Sequence, residues 1–588
     1  MSASGPVIDL RLAAPVALAW GALALVVGLP RVTALVLGAA ALVAAAAVLV
    51  ATGVFAAPAR RRGRARFAAL TLILAGLFSV GAGAQGLGWE RSDVGRLAEA
   101  GGRADVVLGL TEPAKARASP WGGPASVTAR GELWLAEAAH GPGIAAVARF
   151  SGELPASGSV LVFRARLAVA DLGATERVTA QAIDEPVVHA PTGWRGIVLR
   201  LRAGLGERAD PLLAGIVLGD TSQVDESLDA ALKTTSLTHI TAVSGAHVAI
   251  VLGVALGLAA LVGAPRWGAA LAGGVTLLSF TALVGPSPSV LRAVLMGGAA
   301  LTGLAAGKRR LALGALGAAV ALVLAADPWL ARSYGLTLSA LATAALIVVA
   351  PPLARWLRRA APRLPGPLAE AAALSCSAQL ACAPVIAVFA GQISLSAVPA
   401  NVAAAPAIPL ATIAGLAALA LGPVWAAGAD AAAWVGNLAA GWVARVAEWV
   451  SAWPGAAVAW PKGAAGLTLA VLATAALVGG AFALRRAPRW VAWAVAACLV
   501  AGMVLAGPLR RPLRSALGGG VAADWAVAAC DVGQGTAVVL RSGQDAAVMV
   551  DVGPAGGGVD RCLDDLGVRR LDAVILTHFH QDHVGGLA

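Results

Sequence analysis

Long apolar runs alternate with short polar or arginine-rich breaks along most of the chain, each about long enough to cross a bilayer as a helix. Such runs fall at about 12–29, 32–56 and 67–86, and again at about 241–263, 267–285, 290–306, 310–326, 334–351, 368–390, 400–421, 431–452, 465–484 and 489–507. Three plus ten gives thirteen expected spans, the least regular being 431–452, which Asn437, Arg445 and Glu448 interrupt. Between the two groups the texture changes. Residues 89–195 carry short β-rich runs, among them 104–110, 145–150, 159–168 and 177–183, separated by Gly, Pro and Ser turns. Several short strands with no long helix predict a small β-barrel, with an OB-like fold as one candidate. Residues 196–240 mix Arg200, Arg202, Glu207, Arg208 and Asp210 with apolar positions, the pattern of amphipathic helices on a membrane surface.

The expected fold class is thus a polytopic α-helical membrane protein with an extracytoplasmic β domain. Its expected parts are N-terminal spans (1–88), the β domain (89–195), interfacial helices (196–240), a second helical block (241–507), a linker (508–522) and a final α/β segment (523–588). Composition excludes the simpler classes: 588 residues, 59% hydrophobic and only 13% charged, are neither disordered nor an ordinary soluble domain, where about 25% are charged. The net charge of +12 changes the picture less, because membrane proteins retain Arg and Lys in cytoplasmic loops as a topological signal. Arg60, Arg61, Arg62, Arg64 and Arg66 separate the second and third runs, which places that loop inside and residues 89–195 outside. With all thirteen runs crossing, Lys308-Arg309-Arg310, the Arg355 to Arg363 cluster and Arg485-Arg486-Arg489 also fall inside, and the segment from 523 falls outside. If 431–452 only lies on the surface, the Arg485 cluster and the tail change sides. The first run follows Arg11 without a clear cleavage site and reads as a retained span. Cys376, Cys382, Cys498, Cys530 and Cys562 form no CxxC pair and imply no disulfide framework.

Candidate chemistry concentrates in three places. At the end of the chain, LDAVILTHFHQDHVGG (571–586) puts His578, His580, Asp582 and His583 on a turn after an apolar β-like run. Three imidazoles and a carboxylate so close together suit divalent cations, with His578 and His580 serving one ion and Asp582 with His583 a second about 3.5–4 Å away. Asp582 and His583 are also the candidate catalytic residues. In the second helical block, His239, Ser244 and His247 enter an apolar run, Arg292 sits inside another, and Gln379 and Asn401 follow; polar groups there are costly unless they face a cavity or one another. In the β domain, Arg103, Arg117, Arg130, Arg149, Arg164, Arg166 and Arg177 with Trp121, Trp134, Phe150 and Phe163 supply the ingredients of a groove that tracks phosphates and stacks bases. Arg130, Arg164, Arg166 and Trp134 are the leading candidates.

The H-x-H-x-D-H pattern resembles the metallo-β-lactamase superfamily, mostly hydrolases and many of them nucleases, as do CDVGQGTAVVL (530–540) and AAVMVDVGP (546–554), in which Asp551 would lie near the metal pocket. The resemblance implies zinc or manganese, yet the chain ends at Ala588, before the later ligands of such a site, so binding by this chain alone is expected to be weak. GDTSQVDESL and THITAVSGAHVAI (219–250), PSVLRAVLM (288–296), DPWLARSYGLTLSALAT (327–343) and SLSAVPANVAAAP (394–406) resemble, in the same order, ComEC-type competence DNA-uptake channel proteins. That resemblance implies import of one DNA strand across the cytoplasmic membrane, an OB-like outer domain that handles DNA, and a tail that degrades the other strand. It also implies a surface DNA receptor, a cytoplasmic ATPase or helicase, the lipid bilayer and a second copy of the chain as partners. No G-x-x-x-x-G-K-[ST] phosphate loop occurs, so the energy must come from outside the chain. The alternatives are a membrane-anchored metal-dependent hydrolase, such as an extracellular nuclease, and a transporter of a small solute.

Overall fold

The computed structural model of the chain describes residues 11–51, 59–111, 114–117, 126–136, 143–152, 155, 158–170, 177–191, 193–241, 245–285, 288–305, 312–461, 463–484, 525–530, 532, 536–553, 558–577 and 581–587. Two compact units emerge: one holds 1–114, 129–149 and 155–496, the other 115–128, 150–154 and 497–588.

Three helices lead the first unit: α1 (Ala13–Val26), α2 (Arg31–Ala51) and α3 (Ala59–Arg91). Small residues set how closely α2 and α3 approach: a β-carbon on Gly38 would lie 2.9 Å from the Gly76 carbonyl oxygen, and one on Gly76 2.9 Å from that of Gly38. Helix α4 (Asp93–Glu99), capped by the Ser92 hydroxyl on Gly95 N–H, then leads into the β domain.

Its strands are β1 (Arg103–Leu110), β2 (Lys115–Arg117), β3 (Ser126–Leu135), β4 (Ile144–Ser151), β5 (Val160–Val169), β6 (Val178–Ala182) and β7 (Val187–His189). The order is β1-β3-β4-β6-β5, closed by β1 pairing with β5; β2 and β7 are short additions. All pairings given for these strands are antiparallel except β4 with β6. A five-stranded closed barrel with one parallel pair, β4 with β6, is the expected OB-like architecture. Alternation along β5 buries Leu161, Phe163, Ala165 and Leu167 inside and leaves Arg164 and Arg166 outside.

Helices α5 (Gly193–Gly206), α6 (Pro211–Leu218), α7 (Glu226–Thr234) and α8 (Thr238–Thr241) follow. Here α6 departs from the expected interfacial helix. Its Leu212, Leu213, Ile216, Val217 and Leu218 are all buried, forming one core with α17 (Ala407–Leu421) and α18 (Ala426–Ser451). The short charged flanks mislead: between them lies an eight-residue apolar segment seated against Gly415 and Gly436, where a β-carbon would run into Val217 and Leu213. The same seat explains Asn437, one of the polar residues that made 431–452 irregular, and its neighbour Asp430. Asn437 accepts from Asp210 N–H (2.8 Å) and donates to the Arg208 carbonyl (3.1 Å), and Asp430 pairs with Arg208 at 2.7 Å, so these groups hold the α5–α6 turn.

The remaining helices are α9 (Gly245–Leu261), α10 (Arg266–Val284), α11 (Pro288–Ala305), α12 (Ala312–Ala326), a 3-10 turn (Pro328–Arg332), α13 (Tyr334–Val348), α14 (Ala350–Ala360), α15 (Gly366–Ala390), α16 (Ala397–Ala404) and α19 (Gly463–Leu484), with a small antiparallel pair β8 (Gln392–Ser394) and β9 (Ala457–Ala459). Among the described residues, four helices are long and apolar enough to cross a membrane: Arg31–Ala51, Gly63–Arg91, Arg266–Val284 and Gly366–Ala390. Two bent pairs, α13 with α14 (49°) and α16 with α17 (47°), raise the number to six. Pro351 and Pro352 open α14 and Pro406 precedes α17, which accounts for both bends. Over their described residues α1, α9 and α12 have 14, 17 and 15 residues, and the run at 489–507 lies outside the described residues, as do Lys308-Arg309-Arg310 and Arg485-Arg486-Arg489.

In the second unit the tail forms a four-stranded sheet, β10 (Val527–Ala529), β11 (Val538–Arg541), β12 (Ala546–Val550) and β13 (Arg570–Ile575), in that order, with β12 and β13 parallel and helix α20 (Val559–Leu566) between them in sequence. A one-turn helix, α21 (Gln581–Val584), ends the described chain with a short 3-10 turn. Cys530 and Cys562 form a disulfide with Cα atoms 5.8 Å apart, which corrects the expectation of no disulfide. The two residues are 32 apart with no motif between them, and only the fold brings the end of β10 to α20.

Candidate functional site

Arg292 is 3% exposed, inside α11. Its guanidinium donates to the Ser339 hydroxyl through Nη2 and to the Thr343 hydroxyl (3.0 Å) and Met296 Sδ (3.3 Å) through Nη1. Ser339 and Thr343 lie one turn apart on α13 and therefore share a face. Among the described residues no carboxylate pairs with Arg292, and its buried Nε has no hydrogen-bond partner. The N-terminus of α9 adjoins it: a β-carbon on Gly245 would sit 3.7 Å from Arg292 Nη2. A helix N-terminus carries partial positive charge, so two positive groups meet without an acid between them.

The other candidates of this block divide. His247, in the first turn of α9, is buried at 2% exposure. His239 is exposed, its Nδ1 3.0 Å from the Ser236 carbonyl, and Ser236 adopts a positive φ of 56°. Asn401 donates to the Ala397 carbonyl one turn back (2.8 Å), and Gln379 to the Ser394 carbonyl of β8 (3.3 Å). Ser244 lies outside the described residues. Sequence reasoning missed Ser339 and Thr343, whose i, i+4 spacing puts them on one helix face but does not point to Arg292. It also gave Arg202 no role in the block, although this side chain is buried, donates to the Leu283 carbonyl (2.9 Å) at the end of α10 and keeps Nη2 without a partner.

A second arginine shows the opposite arrangement. Arg177, expected among the groove residues, lies at the seam between the barrel and the helices. Its Nη2 donates to Asp327 (2.7 Å) and to Gln85 Oε1 (2.8 Å), and its guanidinium carbon stands 6.0 Å from the Trp329 ring centroid. Asp327 also accepts from Trp329 N–H (3.0 Å), and Gln85 donates to the Ala326 carbonyl (3.0 Å). Elsewhere between barrel and helices, Gly285 adopts φ 101° where a β-carbon would lie 2.7 Å from the Thr111 carbonyl, so the end of α10 meets the end of β1 closely.

On the barrel, Arg103, Arg164 and Arg166 share one exposed face of β1 and β5, Arg103 opposite Arg166 and Asp105 opposite Arg164. Arg164 grips Asp105 with two nitrogens (2.9 and 3.2 Å), which raises the guanidinium pKa and lowers that of the carboxyl, chiefly by hydrogen bonding. Arg166 Nε donates to the Gly101 carbonyl (3.3 Å). Arg130 is exposed on β3, and Trp134 packs its ring over Gly109 and Gly143. Phe150 and Phe163 are core residues, 5% and 3% exposed. The side chain of Arg117, and Trp121 altogether, lie outside the described residues.

In the tail, strand β12 delivers Asp551 to a buried position with φ 56°. Its carboxylate accepts from Thr577 N–H (2.9 Å), from the Thr577 hydroxyl and from His583 Nδ1 (2.7 Å). Burial pushes the Asp551 pKa up, but the bonds from Thr577 and His583 outweigh it and hold the group below its ordinary value. A carboxylate on Nδ1 fixes the imidazole and leaves metal ligation to Nε2, the usual support of a metal-binding histidine. The donor chemistry of His583 therefore fits a divalent cation. His578, His580 and the side chain of Asp582 lie outside the described residues, and among those described no group of three or more metal-binding side chains gathers.

Residues 216–507 match the family described as Competence protein, and residues 530–588 match the metallo-beta-lactamase superfamily. The chain is a ComEC-type competence protein. Family membership ties it to a membrane and to DNA uptake, and the superfamily match ties its tail to divalent-metal chemistry in general. The competence match begins at 216, so α7 and α8 belong to that block. His239, Ser244, His247, Arg292, Gln379 and Asn401 fall within it, His578, His580, Asp582 and His583 within the second match, and Arg130, Trp134, Arg164 and Arg166 outside both. Comparison with curated proteins and with solved structures found no match.

Proposed function

We propose that the chain is a channel that imports single-stranded DNA into the cytoplasm. The observation that carries this reading is Arg292: a buried cation with hydroxyl partners and, among the described residues, no acid beside it, inside the competence block, suits a passing phosphate backbone. His247, with Ser244, His239, Gln379 and Asn401, completes the candidate path. The barrel's Arg164, Arg166 and Arg130 with Trp134 receive the strand from a surface receptor, and a cytoplasmic ATPase or helicase supplies the pull. Barrel and tail face outward in this reading, and the Cys530–Cys562 disulfide supports that side for the tail, since disulfides persist in oxidising compartments. The test is nuclease-protected entry of labelled DNA into cells lacking their own copy. Entry restored by the parent chain and lost with His247→Ala, at equal membrane levels, supports the channel; no entry with the parent chain, despite normal insertion, counts against it.

The second reading, a membrane-anchored metal-dependent nuclease, is favoured by Asp551 and His583. His578, His580, Asp582 and His583 would hold zinc or manganese, which when bound lowers the pKa of water and supplies hydroxide at neutral pH. Asp551 and Thr577 orient His583. Metal-dependent cutting of DNA by purified chain, abolished by His580→Ala while entry persists, would establish this activity beside the channel.

A further inference from the structure

The environment of Arg292 poses a problem that the channel reading does not solve by itself. A buried guanidinium is stable where acids or other acceptors neutralise it. Among the described residues the acceptors around Arg292 are two hydroxyls and a thioether, all neutral, and Nε has none. The Thr343 hydroxyl hydrogen goes to the Ser339 carbonyl one turn back (2.8 Å), so this hydroxyl faces the guanidinium with its lone pairs. The N-terminus of the 17-residue helix α9 adds positive potential from the Gly245 side. Helix N-termini and guanidinium groups are the two commonest elements of phosphate and other oxyanion sites. Here both converge at a residue 3% exposed, and the missing component is an anion.

We propose that the place where the start of α9, Arg292 of α11 and the α13 hydroxyls meet is a binding site for a small inorganic oxyanion of the phosphate class, occupied when no nucleic acid is in the path. Arg292 Nε and Nη2 donate to the anion, and Ser339 and Thr343 hold the guanidinium in place. The resident anion neutralises the arginine at rest, and a phosphodiester of an entering strand takes its place. That exchange rests on the channel reading; the site itself does not.

The experiment uses the purified full chain in nanodiscs with gluconate as the buffer anion and labelled inorganic phosphate in equilibrium dialysis. The expected result is saturable binding by the parent chain, weakened at least about tenfold in Arg292→Gln, and unchanged in Arg96→Gln, an exposed arginine of α4 paired with Asp93. Ser339→Asp places a fixed carboxylate beside the guanidinium and is expected to abolish binding, which keeps the test sound if Arg292→Gln does not insert. No saturable binding by the parent chain, or equal binding by the parent and Ser339→Asp, overturns the site. A single-stranded oligonucleotide added to the dialysis is expected to displace the phosphate. Phosphate binding without that displacement keeps the site and removes its link to the channel, whereas DNA entry in cells without phosphate binding in vitro overturns the site and leaves the channel reading intact.

Discussion

Arg177 at the seam below the barrel and Arg292 in the competence block are the same residue in opposite circumstances. Arg177 meets a carboxylate, an amide oxygen and an indole, and Asp327 is simultaneously held by Trp329 N–H, so the cation is consumed by structure. Arg292 is more deeply buried and meets only hydroxyls and sulfur. Breaking a buried ion pair is costly because a charge is left alone; Arg292 has hydroxyl and thioether acceptors but, among the described residues, no acid as counter-ion. The difference separates an arginine that joins two parts of the protein from one available to a ligand.

Changing the acid content at each place should exchange their behaviour. The largest effect is expected from Ser339→Asp, which gives Arg292 the kind of partner Arg177 already has: DNA entry should fall to background while membrane levels persist, as read by nuclease-protected uptake and blotting. Asp327→Ala makes the reverse change. It removes both the partner of Arg177 and the cap on Trp329 N–H, for a local cost of about 1–3 kcal/mol, visible as faster hydrogen exchange over Pro328–Arg332 and the start of β6. Thr343→Val removes one acceptor from Arg292 while keeping its shape, so uptake should drop by roughly three- to tenfold, consistent with one lost hydrogen bond to a charged group. The smallest effect belongs to Asp105→Asn, because Asp105 and Arg164 are both solvent-exposed; hydrogen exchange of β1 and β5 should match that of the parent.

Arg292 could be picked out in the sequence because a charge inside an apolar run is conspicuous, and the barrel could be because its strands alternate cleanly between buried and exposed positions. What surrounds Arg292 could not be. Ser339 and Thr343 lie 47 and 51 residues away, and hydroxyls inside apolar helices are ordinarily spent on their own carbonyls, as that of Thr343 also is. Arg177 carries no mark that distinguishes it from Arg164, since the Asp327 and Gln85 that claim it come from distant helices. Helix α6 was obscured by its charged neighbours, and the Cys530–Cys562 bridge by a 32-residue separation that only the sheet closes. His583 stood out by its motif. Its orientation by Asp551 depends on β12 and β13 lying side by side, a pairing that no local pattern encodes.

In the channel reading, Arg292 has no acid beside it among the described residues so that a polyanion can pass it. The most direct test compares nuclease-protected entry of labelled single-stranded DNA in cells carrying the parent chain, Arg292→Gln or Arg177→Gln, at equal membrane levels. Entry that is lost with Arg292→Gln and retained with Arg177→Gln is the predicted result; entry that survives Arg292→Gln at the parent's rate would contradict it.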